Sequence, residues 1–310
     1  MEENFEIMNL LQNKQILTNE LNSLIYGAVE IRESDSNKNI YVHYREDGIL
    51  LTKYVGKYSN DLYNLILNNS IKAKKLKKEI REIEKKLKLL NYSDIELDSK
   101  IELNIDFAKR HLVDTIYKQA ILEGVATTFA DTENILEGGK INNMSSEDVL
   151  KIINLKHAWE FILNKNVILS ETNFTLLCEI NKFVQEGFYY SAGKIRSIPV
   201  NIGGTNWTPE LPIESVIKEE LEEIFNRKIN VVDKTIEILL YIMKKQIFID
   251  GNKRTSVIFA NHYLISKGKG IIVIPAELVD EYKDLLITYY EGKDTNKIKQ
   301  FLKEKCYMVL

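Results

Sequence analysis

The chain has 310 residues, 45% of them hydrophobic and 28% charged, which is ordinary for a globular protein with a full core. Its formal net charge of −3 gives no global attraction to nucleic acid or membranes, and two cysteines far apart in sequence indicate an intracellular chain without a disulfide framework. The chain shows no signal-peptide pattern and no apolar run of membrane-spanning length, so we expect a cytoplasmic protein with no membrane or nucleic-acid partner.

The first hundred residues differ in pattern from the rest of the chain. They include "NKNIYVHYREDGILLTKYVG", which is rich in β-branched and aromatic residues on both sides of Asp47-Gly48. Such a run around a turn dipeptide predicts a β-hairpin. We therefore assign residues 1–98 to an appended N-terminal region and residues 99–310 to a separate, mostly α-helical domain.

A lysine-rich helix is predicted directly after this hairpin, in "IKAKKLKKEIREIEKKLKLL". Its apolar residues recur four and three positions apart, which is the narrow seam of a coiled coil or helical hairpin. They are Leu76, Ile80, Ile83, Leu87 and Leu90. Two heptads are short for an independent coiled coil, so this helix is expected to pack on a neighbour or on a second subunit in a homo-oligomer.

The polar face of this helix is strongly basic. Between Lys72 and Lys88, nine residues are basic and three are acidic. Such a face either contacts nucleic acid or an acidic partner, or is a solvated surface with Glu82–Lys86 and Glu84–Lys88 pairs. We favour the solvated surface, because no aromatic platform accompanies the lysines.

From about Leu103 onward the sequence predicts helices in series. The first ends at Gly124, and the next opens with Ser145 and Asp148 as a capping box. A break follows in "SAGKIRSIPVNIGGTNWTPELP", where Gly203-Gly204 indicates a hairpin-type turn after a short extended run. Two further helices close the chain, near 276–291 and 296–305.

The most informative segment is "KKQIFIDGNKRTSVIF", a polar loop between two strongly apolar helical patterns. A helix that starts near Asn252 presents unpaired backbone N–H groups and the positive end of its dipole. Gly251 permits close approach, while Lys253 and Arg254 add two cations. Asp250 offers an oxygen ligand to Mg²⁺ beside a phosphate. From spacing alone, an anion site and a well-capped turn with an Asp250–Arg254 pair remain equally open.

The stretch "QIFIDGNKRT" resembles the signature loop of the Fic family (the Fic/Doc, or Fido, fold), written H-P-F-x-D/E-G-N-G/K-R. Five positions match that motif, namely Phe248, Asp250, Gly251, Asn252 and Arg254, and Lys253 matches the Doc-like N-K-R form. The resemblance covers roughly residues 100–305. It implies a mostly α fold, a Fic-type helical bundle with a small β-hairpin flap near 193–209 and an inhibitory-type helix near 103–124.

Fic proteins that resemble this chain transfer AMP from ATP to a hydroxyl of a target protein, and Doc transfers phosphate. The resemblance implies that Asp250 holds Mg²⁺ and that Gly251, Asn252, Lys253 and Arg254 cradle the phosphates of ATP or a related nucleotide. It places the inhibitory glutamate at Glu123, within "QAILEG". A target protein would dock on the flap by strand addition, through Ile198, Val200, Ile202 and Gly203.

Two departures from the family pattern bear on the chemistry. Gln246 stands where the family has the histidine that takes the proton from the attacking hydroxyl, and an amide has no lone pair basic enough for that role. Val257 stands where AMP-transferring members have a second arginine, which leaves Glu123 without its usual partner. Glu123 then either pairs with Arg254 or Lys253 or ends its own helix near Gly124. His262 and His157 are expected to be packing residues, and Glu123 is the better substitute base.

These features predict an adenylyltransferase-like protein that binds Mg-ATP, with transfer to Ser, Thr or Tyr hydroxyls weak or lost. The alternatives are a non-catalytic Fic-fold binding or regulatory protein, in a toxin–antitoxin or phage-defence setting, and a Doc-like phosphotransferase.

Overall fold

The computed structural model describes residues 2–34, 37–46, 49–90, 92, 97–139 and 144–310. The chain divides into two compact units, Met1–Ser93 and Asp94–Leu310, and each is described by itself. In the part of the chain that is described, no helix combines the length and apolar character that crossing a membrane requires.

The N-terminal unit is built from two helices and a three-stranded antiparallel sheet in the order β1-β2-β3. Its elements are α1 (Glu2–Asn22), β1 (Ala28–Ser34), β2 (Asn37–Glu46), β3 (Ile49–Lys57) and α2 (Asn60–Leu89). The predicted hairpin corresponds to β2 and β3, and β1 adds a strand that the sequence pattern did not indicate. The Asp47-Gly48 turn lies outside the described residues. Ile40, Val42 and Ile66 form the buried core between sheet and helix.

The seam of α2 packs on α1 within this unit. Leu76 and Leu87 are buried, and Lys14 pairs with Glu84 across the two helices at 2.8 Å. The predicted Glu82–Lys86 and Glu84–Lys88 pairs do not form in the described structure, because Glu84 bonds to α1 and Glu82 lies 4.0 Å from Lys78 instead. The neighbour expected for the seam is therefore a helix of the same chain.

The second unit is mostly helical. Its helices are α3 (Ser99–Arg110), α4 (Leu112–Leu122), α5 (Phe129–Leu136), α6 (Ser146–Ile162), α7 (Lys165–Ile168), α8 (Phe174–Val184), α9 (Glu214–Asn226), α10 (Val231–Lys245), α11 (Asn252–Ser266), α12 (Val279–Tyr290) and α13 (Asn296–Phe301). Two short strands, β4 (Ile271–Ile272) and β5 (Tyr307–Met308), pair antiparallel. The helix predicted over 103–124 is instead two helices, which meet at His111.

Helix α11 lies at the centre of this unit and contacts α10, α8 and α6. Residues 254–265 are all buried, as expected for a helix that is apolar or neutral around its circumference after its first turn. Since α10 is also buried along one face, the loop between the two helices is held between two fixed ends. This arrangement confirms the mostly helical fold and sets the position of the polar loop.

The predicted β-hairpin flap near 193–209 contains no strand. The chain there is irregular, with a turn at Gly203 and Gly204. The side chain of Arg196 forms hydrogen bonds to backbone carbonyls in place of the inter-strand bonds of a hairpin. The buried Arg196 guanidinium donates to the carbonyls of Gln246 at 2.6 Å, Ile198 at 2.8 Å and Glu210 at 2.6 Å. Its three directions of donation tie the segment to the loop without a partner strand.

Candidate nucleotide site at the start of helix α11

The loop between α10 and α11 reverses direction through two left-handed residues. Helix α10 is capped by Gln246, with φ 48° and ψ 61°, and α11 is preceded by Gly251, with φ 75°. At Gly251 the positive φ disfavours any side chain, and a Cβ there would also push against the amide of Gln185. Gly251 therefore lets the chain turn tightly and offers no side-chain acceptor to the first N–H groups of α11.

Asn252 holds the loop together from inside. The N–H of Phe248 donates to Asn252 Oδ1 at 2.9 Å, and Asn252 Nδ2 donates back to the Phe248 carbonyl at 2.8 Å. Asn252 is buried, and the Phe248 side chain is buried beside it as the expected anchor. The side chain of Asn252 thus organises the loop, and what this residue presents at the helix start is its backbone amide.

Both ends of the Gln246 side chain are used within the protein. Its Nε2 donates to the carbonyl of Met243 at 2.6 Å, and its Oε1 accepts from Asn252 Nδ2 at 3.1 Å. Gln246 is the only non-glycine residue with positive φ in the described part of the chain. Such a conformation costs an ordinary residue about 1–2 kcal/mol, so the surrounding bonds hold it in place.

The Arg254 side chain is only 4% exposed and lies between two carboxylates. Its Nε is 3.4 Å from Glu123 Oε2, and its NH2 is 3.3 Å from Asp250 Oδ2. The approach of Glu123 is that of an ion pair rather than a hydrogen bond, since Nε and NH1 of Arg254 and Oε1 of Glu123 have no hydrogen-bond partner. The second cation, Lys253, is 3.7 Å from Glu123 Oε1. Of the two open alternatives for Glu123, the structure shows the pairing with Arg254 and Lys253.

Glu123 reaches the loop because α4 is fastened to α11 by Gln119. The Gln119 Nε2 donates to the carbonyl of Arg254 at 2.9 Å, and its Oε1 accepts from Trp159 Nε1 at 2.9 Å. All three side chains are buried. No local pattern in the sequence marks Gln119 for this anchoring role, which is visible in the structure alone.

Asp250 is the exposed carboxylate of the loop, with 49% of its side chain accessible. Its Oδ2 also accepts from Gln185 Nε2 at 3.2 Å, and its carbonyl accepts from Asn181 Nδ2 at 3.2 Å. Within the described ranges, no three His, Cys, Asp or Glu residues come together as a metal site. Neither Gln185 nor Asn181 stands out in the sequence, because an amide within an apolar helix has many structural uses.

His262 and His157, the two histidines considered in place of the missing base or for packing, are fully and partly buried, respectively. His262 is fully buried, with Nδ1 2.9 Å from Thr172 Oγ1 and Nε2 2.8 Å from the Val167 carbonyl. Burial lowers the pKa of His262 to about 4, and burial also lowers the pKa of His157. His262 is thus the packing residue that the sequence predicts, whereas His157 is half-buried.

The predicted flap residues divide between surface and core. Ile198 is exposed and Val200 is half-buried, whereas Ile202 packs against the core cluster of α10–α12. Gly203 lies in the turn. Nearby, Trp207 stacks on Tyr290 with ring centroids 5.7 Å apart. The segment is therefore anchored at its C-terminal half and accessible around Ile198.

Residues 171–264 match the Fic/DOC family, a range that extends from α8 through the loop and most of α11. This match lies wholly within the second unit. No curated protein matches the sequence.

Solved structures with a similar fold are themselves Fic proteins. Fic-1 (residues 134–508) from C. elegans is 18% identical with a TM-score of 0.53, covering 75% of this chain and 71% of that one. A Fic domain containing signaling protein from Bacteroides thetaiotaomicron is 18% identical, with TM-score 0.53 and coverage of 67% and 86%. A Fic family protein from Desulfovibrio desulfuricans is 12% identical, with TM-score 0.51 and coverage of 67% and 72%. These similarities establish the Fic fold.

Proposed function

We propose that the loop 250–254 binds Mg-ATP or a related nucleotide through its phosphates, and that AMP transfer is weak or lost because Gln246 replaces the general base. The observation that carries the proposal is the Arg254 guanidinium, whose buried Nε and NH1 donate no hydrogen bond. A buried donor left unsatisfied costs about 1–3 kcal/mol. Phosphate oxygens would supply the missing acceptors, in the planar arrangement that a guanidinium binds best.

Three further features support an anionic ligand at this position. The first turn of α11 has free N–H groups and a positive dipole end, Gly251 leaves its approach clear, and Lys253 adds a second, more accessible cation. In the present conformation the Glu123 carboxylate lies within ion-pair distance of both cations. Nucleotide binding therefore competes with the Glu123 carboxylate, which must move or share the cations.

Asp250 fits the role of a Mg²⁺ ligand. Its carboxylate is half exposed and lies at the mouth of the loop, and Mg²⁺ in nucleotide sites is bound by one or two carboxylates together with phosphate oxygens and water. The absence of a larger ligand cluster among the described residues agrees with such a shared site. The ion would neutralise phosphate charge, and Gln185 would keep the Asp250 carboxylate in position.

Transfer of AMP forms a bond between a hydroxyl oxygen and the α-phosphorus, releases pyrophosphate and requires removal of the hydroxyl proton. The amide of Gln246 has no basic lone pair, and loss of general-base help costs about 10²–10⁴-fold in rate. Its engagement with Met243 and Asn252 also keeps it away from a bound substrate. This engagement favours the second candidate function, a Fic-fold protein that binds a nucleotide without transferring any part of it.

The test uses α- and γ-labelled ATP with a cell lysate and three proteins: wild type, Gln246→His and Glu123→Gly. Label transferred from the α position alone indicates AMP transfer, and label from γ alone indicates phosphoryl transfer. Signal only in the histidine variant supports a silenced transferase, and signal in no variant supports the non-catalytic candidate. Strong labelling by the wild type contradicts the argument about the missing base.

Binding is measured separately by calorimetry with Mg-ATP. We expect Arg254→Ala to lose detectable affinity, while Arg227→Ala, which removes a half-exposed arginine elsewhere in this unit, leaves it unchanged. Circular dichroism checks that both variants are folded. Equal ATP affinity in wild type and Arg254→Ala contradicts the proposed site.

A further inference from the structure

The N-terminal unit contains a concave basic surface that the Fic/DOC match does not cover. A cavity of about 510 Å³ opens between the loop after α1 and one face of α2. Its chemistry comes from four cations of α2 and one aromatic ring, which together are called the basic groove here: Lys74, Lys77, Lys78, Arg81 and Tyr26. A cavity of this size accommodates a nucleotide-sized ligand.

The cations of the basic groove lie on one side of α2, since their spacing of three, four and seven residues places them on a single helix face. Among the described residues, the only carboxylate within ion-pair distance of any of them is Glu82, at 4.0 Å from Lys78. Other lysines of the same helix are paired more closely, as Lys72 is with Glu20 at 2.5 Å. Like charges at i and i+4 oppose each other, so a polyanion bound here would relieve repulsion within the helix.

The charge is also concentrated relative to the rest of the chain. Residues Lys72 to Lys88 hold nine basic and three acidic side chains, whereas the whole chain has a net charge of −3. A local positive field on a net negative protein directs an anionic ligand to one surface. The positive charge of the basic groove is therefore a local feature, and the protein as a whole is not basic.

The fold adds an aromatic ring that the lysine-rich part of α2, from Lys72 to Lys88, lacks. Lys77 Nζ lies 4.7 Å from the ring centroid of Tyr26. The loop that carries Tyr26 is held against α2, because the N–H of Gly27 donates to Ser70 Oγ at 3.2 Å and Ser70 Oγ donates to the Gly27 carbonyl at 3.3 Å. Tyr26 thus supplies an aromatic ring next to the lysines, with the Lys77 ammonium over one of its faces.

We propose that the basic groove binds a single strand of nucleic acid, with phosphates on the α2 cations and one base against Tyr26. Lys74 and Arg81 are about 10 Å apart along the helix axis, which spans roughly two or three nucleotides of a strand. A single strand is favoured over a duplex because only an unpaired base presents its face to an aromatic ring. An acidic protein segment would satisfy the cations and leave the ring unused.

The experiment measures binding of the full chain to fluorescently labelled oligo-dT and oligo-U by anisotropy at 50 and 200 mM salt. We expect both strands to bind, with affinity that falls as salt rises, because neutralised phosphates release counterions. The double variant Lys74→Glu/Arg81→Glu should lose at least tenfold in affinity. It keeps the helix intact, since each glutamate gains an i,i+4 lysine partner, Lys78 or Lys77.

The matched control is Lys75→Glu/Lys86→Glu, which makes the same charge change on a neighbouring face of α2 and should lose less than threefold. Tyr26→Ala should weaken binding about fivefold or more, and Tyr26→Phe should retain it. The proposal is overturned if both double variants lose affinity equally or if a duplex of the same length binds as tightly. It also fails if poly-glutamate displaces the oligonucleotide at equal charge concentration.

Discussion

The carboxylate of Glu123 lies 3.4 Å from Nε of Arg254, and both side chains are largely buried, with 12% and 4% of their surface exposed. One charge follows the end of α4 and the other lies in the first turn of α11. The pair therefore connects the helix that resembles the inhibitory element to the loop that resembles the phosphate cradle. Because Lys253 Nζ lies 3.7 Å from the same carboxylate, Glu123 is paired with both cations of the loop.

Glu123→Gln should raise the affinity for Mg-ATP about 10–100-fold. The substitution removes a negative charge that competes for the guanidinium. A 10–100-fold gain corresponds to about 1.4–2.8 kcal/mol, which is less than the roughly 4 kcal/mol attraction between unit charges about 4 Å apart in a partly buried site. Calorimetry on both proteins measures the difference. Glu133→Gln, on the exposed face of α5, serves as the control and should leave affinity unchanged. If the Glu123 variant binds ATP no better than wild type, the carboxylate does not compete with the nucleotide for the two cations.

Gln119→Ala should lower the free energy of unfolding by about 2–4 kcal/mol. It leaves two buried partners without a bond, Trp159 Nε1 and the carbonyl of Arg254, and each unsatisfied group costs about 1–3 kcal/mol. Urea unfolding provides the measurement. Gln300→Ala removes an exposed amide and should change stability by less than about 0.5 kcal/mol. Similar small effects for both would mean that Gln119 does not fasten α4 to α11.

At position 246, glycine should be more stable than alanine by about 1 kcal/mol. Both variants lose the bonds of the Gln246 amide, but only glycine adopts the φ of 48° without strain. The same pair of substitutions at Glu222, exposed in the middle of α9, should show the opposite order, because alanine is the better helix former there. Urea unfolding of the four variants compares the two sites, and the same order at both would rule out a strained turn.

The stability of the protein should decrease as the pH falls from about 6.5 to 4, in part because of His262. Burial lowers the pKa of this imidazole to about 4, whereas in the unfolded chain it titrates near 6.5. The unfolded state therefore binds more protons in this window, and protonation favours unfolding by roughly 3 kcal/mol at its lower end. His262→Gln should flatten this part of the pH profile of unfolding free energy. An unchanged slope would assign the effect to other groups.

The sequence predicts the helical framework well and the small β elements less well. Helices α10 and α11 and the loop between them follow from apolar periodicity, since both helices bury continuous faces. Strand β1 escapes prediction because "AVEIRES" becomes a strand only by pairing with β2, and strand propensity depends on such neighbours. The flap fails for a related reason, because Arg196 satisfies carbonyls that a hairpin would pair.

The sequence predicts which residues belong to the candidate site, but it does not predict their contacts with one another. Gly251 and Arg254 follow from the motif, yet the meeting of Glu123 with Arg254 depends on how α4 packs on α11. That packing passes through Gln119, whose side chain looks unremarkable in the sequence. The same holds for Gln185 and Asn181, which reach Asp250 from α8 and its cap. Long-range contacts of neutral amides leave no local pattern to detect.

The turn at Gln246 is supported largely by its surroundings, because Arg196 holds its carbonyl and the Phe248–Asn252 bonds fix the residues that follow. These bonds use backbone groups or the side chains of other residues, so they do not depend on the side chain at position 246. Glutamine and histidine codons differ only in their third base, so the Gln246→His change of the labelling test corresponds to one nucleotide substitution.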